Sequence, residues 1–187
     1  MKIKISDVAN LPSRFGDFKV KAFQEAHKEH LVIYKEPLGD SPVVRVHSEC
    51  LTGDAIGSLK CDCRDQLEFA LKTVEQLGGM VIYLRQEGRN IGLLNKINAY
   101  ALQDKGLNTI EANHQLGFAA DERTYEVVTT ILEHFNIQKI RLLTNNPNKI
   151  NSLKDIEIIE RLPIIIDPNE HNEGYLQVKK DEMGHLL

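Results

Sequence analysis

The chain has no long apolar run. Its greasiest stretch, Leu162-Pro163-Ile164-Ile165-Ile166, is strand-sized and broken by proline. A membrane helix needs ~20 apolar residues, so no membrane partner is expected. Met1 to Asp7 alternates charged and apolar side chains, which is not the pattern of a signal peptide, and the expected location is the cytosol. Basic excess is missing as well. A formal net charge of −4 argues against a general nucleic-acid wrapper, which would carry a basic stripe. An anionic small molecule stays compatible, because a local Arg and Lys cluster can sit in an acidic protein. Cysteines are few: Cys50, Cys61 and Cys63. That odd, tightly spaced set excludes a disulfide framework in a reducing compartment and points to metal or catalytic use. Repeats, low-complexity tracts and linkers are absent. With 187 residues, 42% hydrophobic and 27% charged, the composition is that of one globular domain, 1–187, able to build its own core.

Strands are expected first. Phe18 to Phe23 alternates as a half-buried strand does, after a turn at Arg14 to Asp17. Leu31 to Tyr34 and Val43 to His47 are two more strands, separated by the turn-rich Pro37 to Pro42. Strand–helix alternation follows. Leu67, Ala70, Leu71, Val74 and Leu77 share one helical face, closed by Gly78-Gly79. Met80 to Leu84 is a buried strand, and Leu93 to Asp104 a helix ended by Gly106. Asn108 to Ala120 shows no clean period and is expected to be a long loop. A third helix is expected from about Asp121, burying Tyr125, Val128, Leu132 and Phe135. Ile140 to Thr144 is a strand. Pro147 is placed to start a short helix, and Ile156 to Ile166 holds one or two strands. A polar tail, about 168–187, is mobile or folds over the active site. The fold class is α+β or mixed α/β, with a β-rich N-terminal segment and one main mixed sheet carrying packed helices.

Cys61 and Cys63 flank one residue, so an extended segment would put both sulfurs on one face. Cys50, at the end of a strand, could bring a third. Zinc with three protein ligands keeps a fourth position for water, and thiolates favour Zn²⁺ over Mg²⁺. Three free core cysteines are the bland alternative; a structural zinc closed by His47 is another. The neighbours favour a working site, since Arg45, His47, Glu49, Asp54 and Gln66 crowd the same stretch.

The loops carry charge at strand ends, where α/β folds bind ligands. Gly88 would let a ligand approach the backbone closely, and Arg89 could hold a phosphate bidentately. Asp121-Glu122-Arg123 reads either as a helix cap, with Asp121 at the N-cap, or as a carboxylate and a guanidinium at a pocket edge. Thr144 to Lys149 joins a strand to a helix N-terminus that could receive phosphate. No Walker motif is present. The signature of zinc deaminases is missing too. His114 and His185 have no assigned partner and read as surface or packing histidines.

Together these segments resemble the GTP cyclohydrolase II family. The resemblance rests on Arg45 to Asp54, Lys60 to Cys63, Arg85 to Lys96, Ala99 to Asp104, Glu111 to Arg123, Leu142 to Pro147 and Met183 to Leu187. It spans essentially the whole chain. Many relatives carry an additional dihydroxybutanone-phosphate synthase domain, and at this length a monofunctional enzyme is expected. Small departures are Arg64, where the family often has Gly, and Val178 and Glu182 in place of a common Thr and Lys.

The resemblance implies a reaction of GTP and water to formate, pyrophosphate and 2,5-diamino-6-(5-phosphoribosylamino)pyrimidinone, at the start of riboflavin biosynthesis. It implies that Cys50, Cys61 and Cys63 hold one Zn²⁺, which would activate the water attacking C8 of guanine. Asp121 matches a proton acceptor and Tyr100 a residue of the ring-opening step. Arg123 matches a nucleophile on the α-phosphate. Because guanidinium is effectively always protonated, electrostatic stabilisation is its rival role. GTP binding is implied for Arg45, Val46, His47, Ser48, Glu49, Gln66, Glu87, Gly88, Arg89, Thr109, Thr144 and Lys149. Mg²⁺ on the phosphates and a homodimer are implied as well.

Overall fold

A computed structural model of the chain describes residues 3–186; Met1 and the final Leu187 of the last motif lie outside them. Eight strands form one mixed sheet. The N-terminal half is antiparallel. β1 (Lys4–Ile5) and β2 (Ala9–Ser13) both pair with β3 (Gly16–Glu25), which pairs with β4 (Lys28–Lys35). β4 then lies antiparallel to β6 (Gly79–Leu84). The rest is parallel: β5 (Val43–Ser48) sits between β6 and β7 (Lys139–Leu143), and β8 (Glu157–Leu162) closes the edge. The sheet is therefore the mixed one expected. The stretch around Ile156 to Ile166 holds one strand.

Period-two alternation sends the side chains of each central strand to two cores. Met80, Ile82 and Leu84 join Val44, Val46, Ile140 and Leu142 under α5 (Glu126–His134), whose Val127, Val128, Ile131 and Leu132 close that layer. Val81, Val43 and Leu143 point the other way, onto Ala70, Leu71 and Val74 of α2 (Cys63–Leu77). Leu77, grouped with that face by spacing, is exposed at the end of α2. Helices thus cover both faces.

Two expectations fail around residues 108–126. The stretch after Asn108 is not a plain loop: α4 (Thr109–Gln115) forms there. Asn108 accepts hydrogen bonds from the Ile110 and Glu111 amides, and Glu111 accepts from the Asn108 amide. This capping box nucleates a helix too short for periodicity to reveal. Asp121 is not a helix cap. α5 begins at Glu126 with Tyr125 at its N-cap, and Asp121 bonds Arg123 instead. The tail is ordered into α7 (Glu173–Asp181), which folds back over the sheet end.

The parallel arrangement determines where a site can form. The carboxyl ends of β5, β6 and β7 lie side by side, and the chain leaves each into a loop rich in polar residues: 49–50, 85–91 and 144–146. This is the edge where open α/β sheets gather ligands.

Candidate active site

Cys50 ends the loop after β5 and caps the four-residue α1 (Leu51–Asp54), while Cys61 and Cys63 lead into α2. The Cys61–Cys63 segment turns into a helix rather than running extended, so the convergence arises from the α1–α2 corner. The three sulfurs lie within 4.8 Å of one another, and Cys50 Sγ is 3.7 Å from Cys61 Sγ. Tetrahedral thiolates at ~2.3 Å from zinc would stand about 3.8 Å apart. Gly53 makes the approach feasible: a Cβ there would fall 2.8 Å from Cys61 Sγ and 3.1 Å from Cys50 Sγ. Lys96 on α3 (Gly92–Gln103) reaches Cys50 Sγ at 3.1 Å. Neighbouring thiols and the Lys96 ammonium hold the Cys50 thiol well below its ordinary range. Hydrogen bonding to Cys50, with burial, pushes Cys61 up to about 11, and hydrogen bonding to Cys50 and Cys61, with burial, pushes Cys63 upward. Three adjacent thiolates repel, and a soft dication resolves that repulsion. The donor set fits zinc. His47 is not a fourth ligand, because its Nε2 faces the Asp54 carboxylate at 3.1 Å.

Asp54 ties this corner together. It accepts hydrogen bonds from Tyr83 Oη at 2.7 Å and from the Cys50 amide at 3.0 Å, besides facing His47. Glu87 does the same across the loop after β6. It accepts from Lys96 Nζ at 2.7 Å, the Leu51 amide at 2.6 Å and the Gly88 amide at 2.9 Å. Three of its roughly four acceptor positions are therefore taken. Glu49 holds Arg85 at 2.9 Å and is the less committed carboxylate.

The thiols open into a cavity lined also by Ser48, Glu49, Glu87, Gly88, Tyr100 and Thr109. Tyr100 Oη is 3.3 Å from Thr52 Oγ1, and burial raises its pKa, so it stays a phenol. Gly88 sits at φ +62, followed by Arg89 at +59 and Asn90 at +74. Two consecutive non-glycine residues in left-handed backbone mark stored strain beside the cavity.

A second cavity adjoins the first through Ser48, Cys63, Arg89, Arg123 and Tyr175. Arg45, His47, Gln66, Thr144, Lys149, Lys179 and His185 also line it. Five Arg or Lys residues face it, and no carboxylate lines it among the described residues. Arg45 donates to Leu143 O at 3.1 Å and Gln66 Oε1 at 2.6 Å, yet burial pulls it down to about 10. Lys149, on α6 (Pro147–Ser152), donates to Val46 O at 2.7 Å; burial and the cations around it hold its pKa well below normal. Arg45 Nε, His47 Nδ1 and Arg89 Nη2 are buried without a partner. Each such group costs about 1–3 kcal/mol unless something satisfies it, and an anion would satisfy the guanidinium donors.

Most of the residues singled out from sequence converge here. The exceptions are specific. Val46 turns its side chain into the core and offers only backbone. Asp121 lines neither cavity; it stands behind Arg123. Arg64, a departure from the family pattern, pairs with Glu68 at 3.1 Å on the outside of α2. Sequence reasoning missed Lys96, Asp62, Tyr175 and Lys179, and read His185 as a surface or packing histidine, whereas it lines the cationic cavity. Lys96 carried a signal, since it shares the buried face of α3 with Ala99. The others depend on a contact across more than a hundred residues, Lys179 Nζ to Asp62 Oδ1 at 2.8 Å.

A thiol cluster merged with a carboxylate-free cationic cavity is the layout of a metal-assisted enzyme for an anionic substrate. A family model described as GTP cyclohydrolase II matches residues 4–163. Similar proteins called GTP cyclohydrolase-2 include one from Campylobacter hominis, 70% identical over all of this chain and 97% of its own length. One from Campylobacter fetus is 65% identical over the same shares, and one from Sulfurospirillum multivorans is 74% identical over 75% of this chain and all of that protein. A solved structure of a two-domain 3,4-dihydroxy-2-butanone 4-phosphate synthase from A. baumannii covers 88% of this chain and 40% of its own, at 19% identity and TM-score 0.46. The chain belongs to the GTP cyclohydrolase II family of enzymes.

Proposed function

We propose that the chain converts GTP and water to formate, pyrophosphate and 2,5-diamino-6-(5-phosphoribosylamino)pyrimidinone, opening riboflavin biosynthesis. The observation that carries this reading is the joining of two unlike cavities at Arg123, Arg89, Ser48 and Cys63. A nucleoside triphosphate has the same division: a base with N–H donors, and a polyanion. Guanine fits the cavity of the thiols, with Glu49 as the carboxylate able to accept from its N1–H and 2-amino groups. The triphosphate fits the cationic cavity, against Arg45, Lys149 and Thr144, and Mg²⁺ would arrive on the phosphates. Gln66 orients Arg45, and Gly88 lets the substrate approach the loop.

Cys50, Cys61 and Cys63 are the residues suited to hold Zn²⁺, which when bound supplies Lewis-acid activation of water. Tyr100 then holds a phenolic proton at the edge of the ring to be opened. Arg123 stands at the cavity junction, where the α-phosphate of such a ligand would lie. Its bidentate pairing with Asp121 keeps the guanidinium charged and raises its pKa. That favours electrostatic stabilisation of the phosphoryl transition state over nucleophilic attack. Asp121 is both the orienting group and the nearest acceptor for a guanidinium proton. A homodimer and a cytosolic location belong to the same reading. No helix among the described residues is long and apolar enough to cross a membrane.

The test is to incubate the metal-quantified protein with GTP and Mg²⁺, following formate and pyrophosphate together, with Cys61→Ser in parallel. Both products from the wild type, and loss of metal and formate in the variant, are expected. One zinc per chain with neither product would end the reading.

A further inference from the structure

The cationic cavity has an outer wall that comes from the far end of the chain. Tyr175, Lys179, Met183 and His185 all line it. α7 is held down by the ion pair between Lys179 and Asp62, whose side chains are 11% and 2% exposed. Asp62 in turn accepts from Gln66, the residue that bonds Arg45. After α7 the chain reverses at Gly184, φ +64, a conformation glycine adopts without steric cost. The reversal is pinned on both sides: the His185 amide donates to Lys179 O at 3.0 Å, and the Leu186 amide to Asn145 O at 2.9 Å. These bonds return the His185 ring to the cavity.

We infer that His185 is a phosphate-binding, specificity-determining residue, which takes up a proton as a polyphosphate enters the cavity. This deepens the proposed function and rests on its assignment of the cationic cavity to a polyphosphate. The charged groups that share the cavity with the ring and whose fields reach it are Lys179 from α7, Lys149 from α6, Arg123 from the segment before α5 and Arg89 from the loop after β6. Arg45 and His47 of β5 line the same cavity. Lys179 and Arg123 are paired from behind with Asp62 and Asp121, and burial holds Lys149 toward its neutral form, but no carboxylate among the described residues lines the cavity itself, whose other titratable groups are Tyr175 and Cys63. Burial, then these charges, pulls His185 down to about 3, so the ring is neutral near pH 7. A polyphosphate brings three or more negative charges into the same space. It offsets the charge part of what suppresses protonation, and an anion beside the ring works against the burial part by giving the protonated form a charge-assisted bond. A monophosphate cancels less of that field, so the device favours long phosphate chains.

The experiment is calorimetric titration of the zinc-loaded protein with inorganic tripolyphosphate at pH 7, in two buffers of different ionisation enthalpy. Wild type, His185→Gln and His185→Lys are compared. The ligand's own ionisation is common to all three proteins, so differences in proton uptake report His185. His185→Gln should bind roughly tenfold more weakly, the equivalent of one unit of differential protonation, and lose the wild type's extra proton uptake. His185→Lys should restore the affinity without that uptake, which excludes a folding defect as the cause. Equal affinity and equal uptake in wild type and His185→Gln would overturn the inference. So would a wild type that does not distinguish tripolyphosphate from inorganic phosphate. Tripolyphosphate carries no base, so the outcome is independent of GTP turnover. A protein that shows the His185 effect yet releases no formate from GTP would sink the proposed function alone.

Discussion

Arg123 and Asp121 grip each other through two parallel bonds, Nε to Oδ1 at 2.8 Å and Nη2 to Oδ2 at 2.5 Å, across a gap of one residue. The Asp121 oxygen also accepts from the Arg123 amide at 3.1 Å. A fork locked this way has one orientation, and it aims the rest of the guanidinium at the junction of the two cavities. Arg123→Ala should lower pyrophosphate release by about 10²–10³-fold, the usual effect of removing one aimed donor. Asp121→Asn keeps the shape but frees the fork, and should cost less. Both are read by coupled pyrophosphate assay. Normal release from Arg123→Ala would remove the nucleophilic and the electrostatic role alike.

The thiol corner yields a sharper test than deleting a ligand. Gly53→Ala leaves all three cysteines in place but drives a methyl into Cys61 Sγ and Cys50 Sγ. Zinc content, measured by elemental analysis, should fall in Gly53→Ala nearly as far as in Cys61→Ser, and formate production should fall with it. Full zinc occupancy in Gly53→Ala would mean that the three sulfurs do not need this approach to hold the metal.

Two buried histidines, His30 and His47, contribute to the fold's response to acid, alongside His185. His30 accepts the Arg85 amide at 3.0 Å and His47 faces Asp54; burial is the largest cause lowering the pKa of each below the ordinary 6.5. In the unfolded chain both take up protons near pH 6.5, whereas in the folded protein they do so only at lower pH. The unfolded state therefore binds more protons, and stability falls as pH drops below 6.5. Each group contributes a slope of up to ~1.4 kcal/mol per pH unit. Urea unfolding at pH 6.5 and pH 5 should show this loss, and His30→Gln, remote from the thiols, should make it shallower. An unchanged slope would assign the acid response elsewhere.

How much of this was legible in the sequence depended on the range of the interactions involved. Val43 to His47 and Met80 to Leu84 announced themselves as strands because both faces of the sheet are buried there. α5 showed its period, but its start was misplaced. The capping preference of Asp121 was outcompeted by the Arg123 fork, and no local signal distinguishes the two. α4 was missed because seven residues make too few turns for periodicity; the Asn108–Glu111 box was its one visible mark. The thiol cluster was readable from type and spacing, although through a turn into α2 rather than an extended segment. The tail's contribution was not readable, because Lys179 is buried by Asp62, 117 positions away, and exposed polar composition was the more economical inference.

Under the proposed reaction, Tyr100 is the residue expected to separate the two half-reactions. Its ring lies in the thiol cavity and not in the cationic one, with the ammoniums of Lys60 and Lys96 5.0 and 5.7 Å from the ring centroid. Burial raises its pKa above the ordinary phenol value even against the Lys96 charge, so a proton is present on Oη throughout the neutral range. Tyr100→Phe removes that proton and the weak bond to Thr52 while keeping the ring. Formate release should fall by roughly 10²–10⁴-fold, the range for a lost proton donor. Pyrophosphate release, which the proposed reaction assigns to Arg123 across the junction, should stay within a few-fold of the wild type. Parallel assays of formate and pyrophosphate on one sample decide it. A proportional loss of both products would mean that the two chemistries are not divided between the cavities. Undiminished formate release would exclude Tyr100 from ring opening.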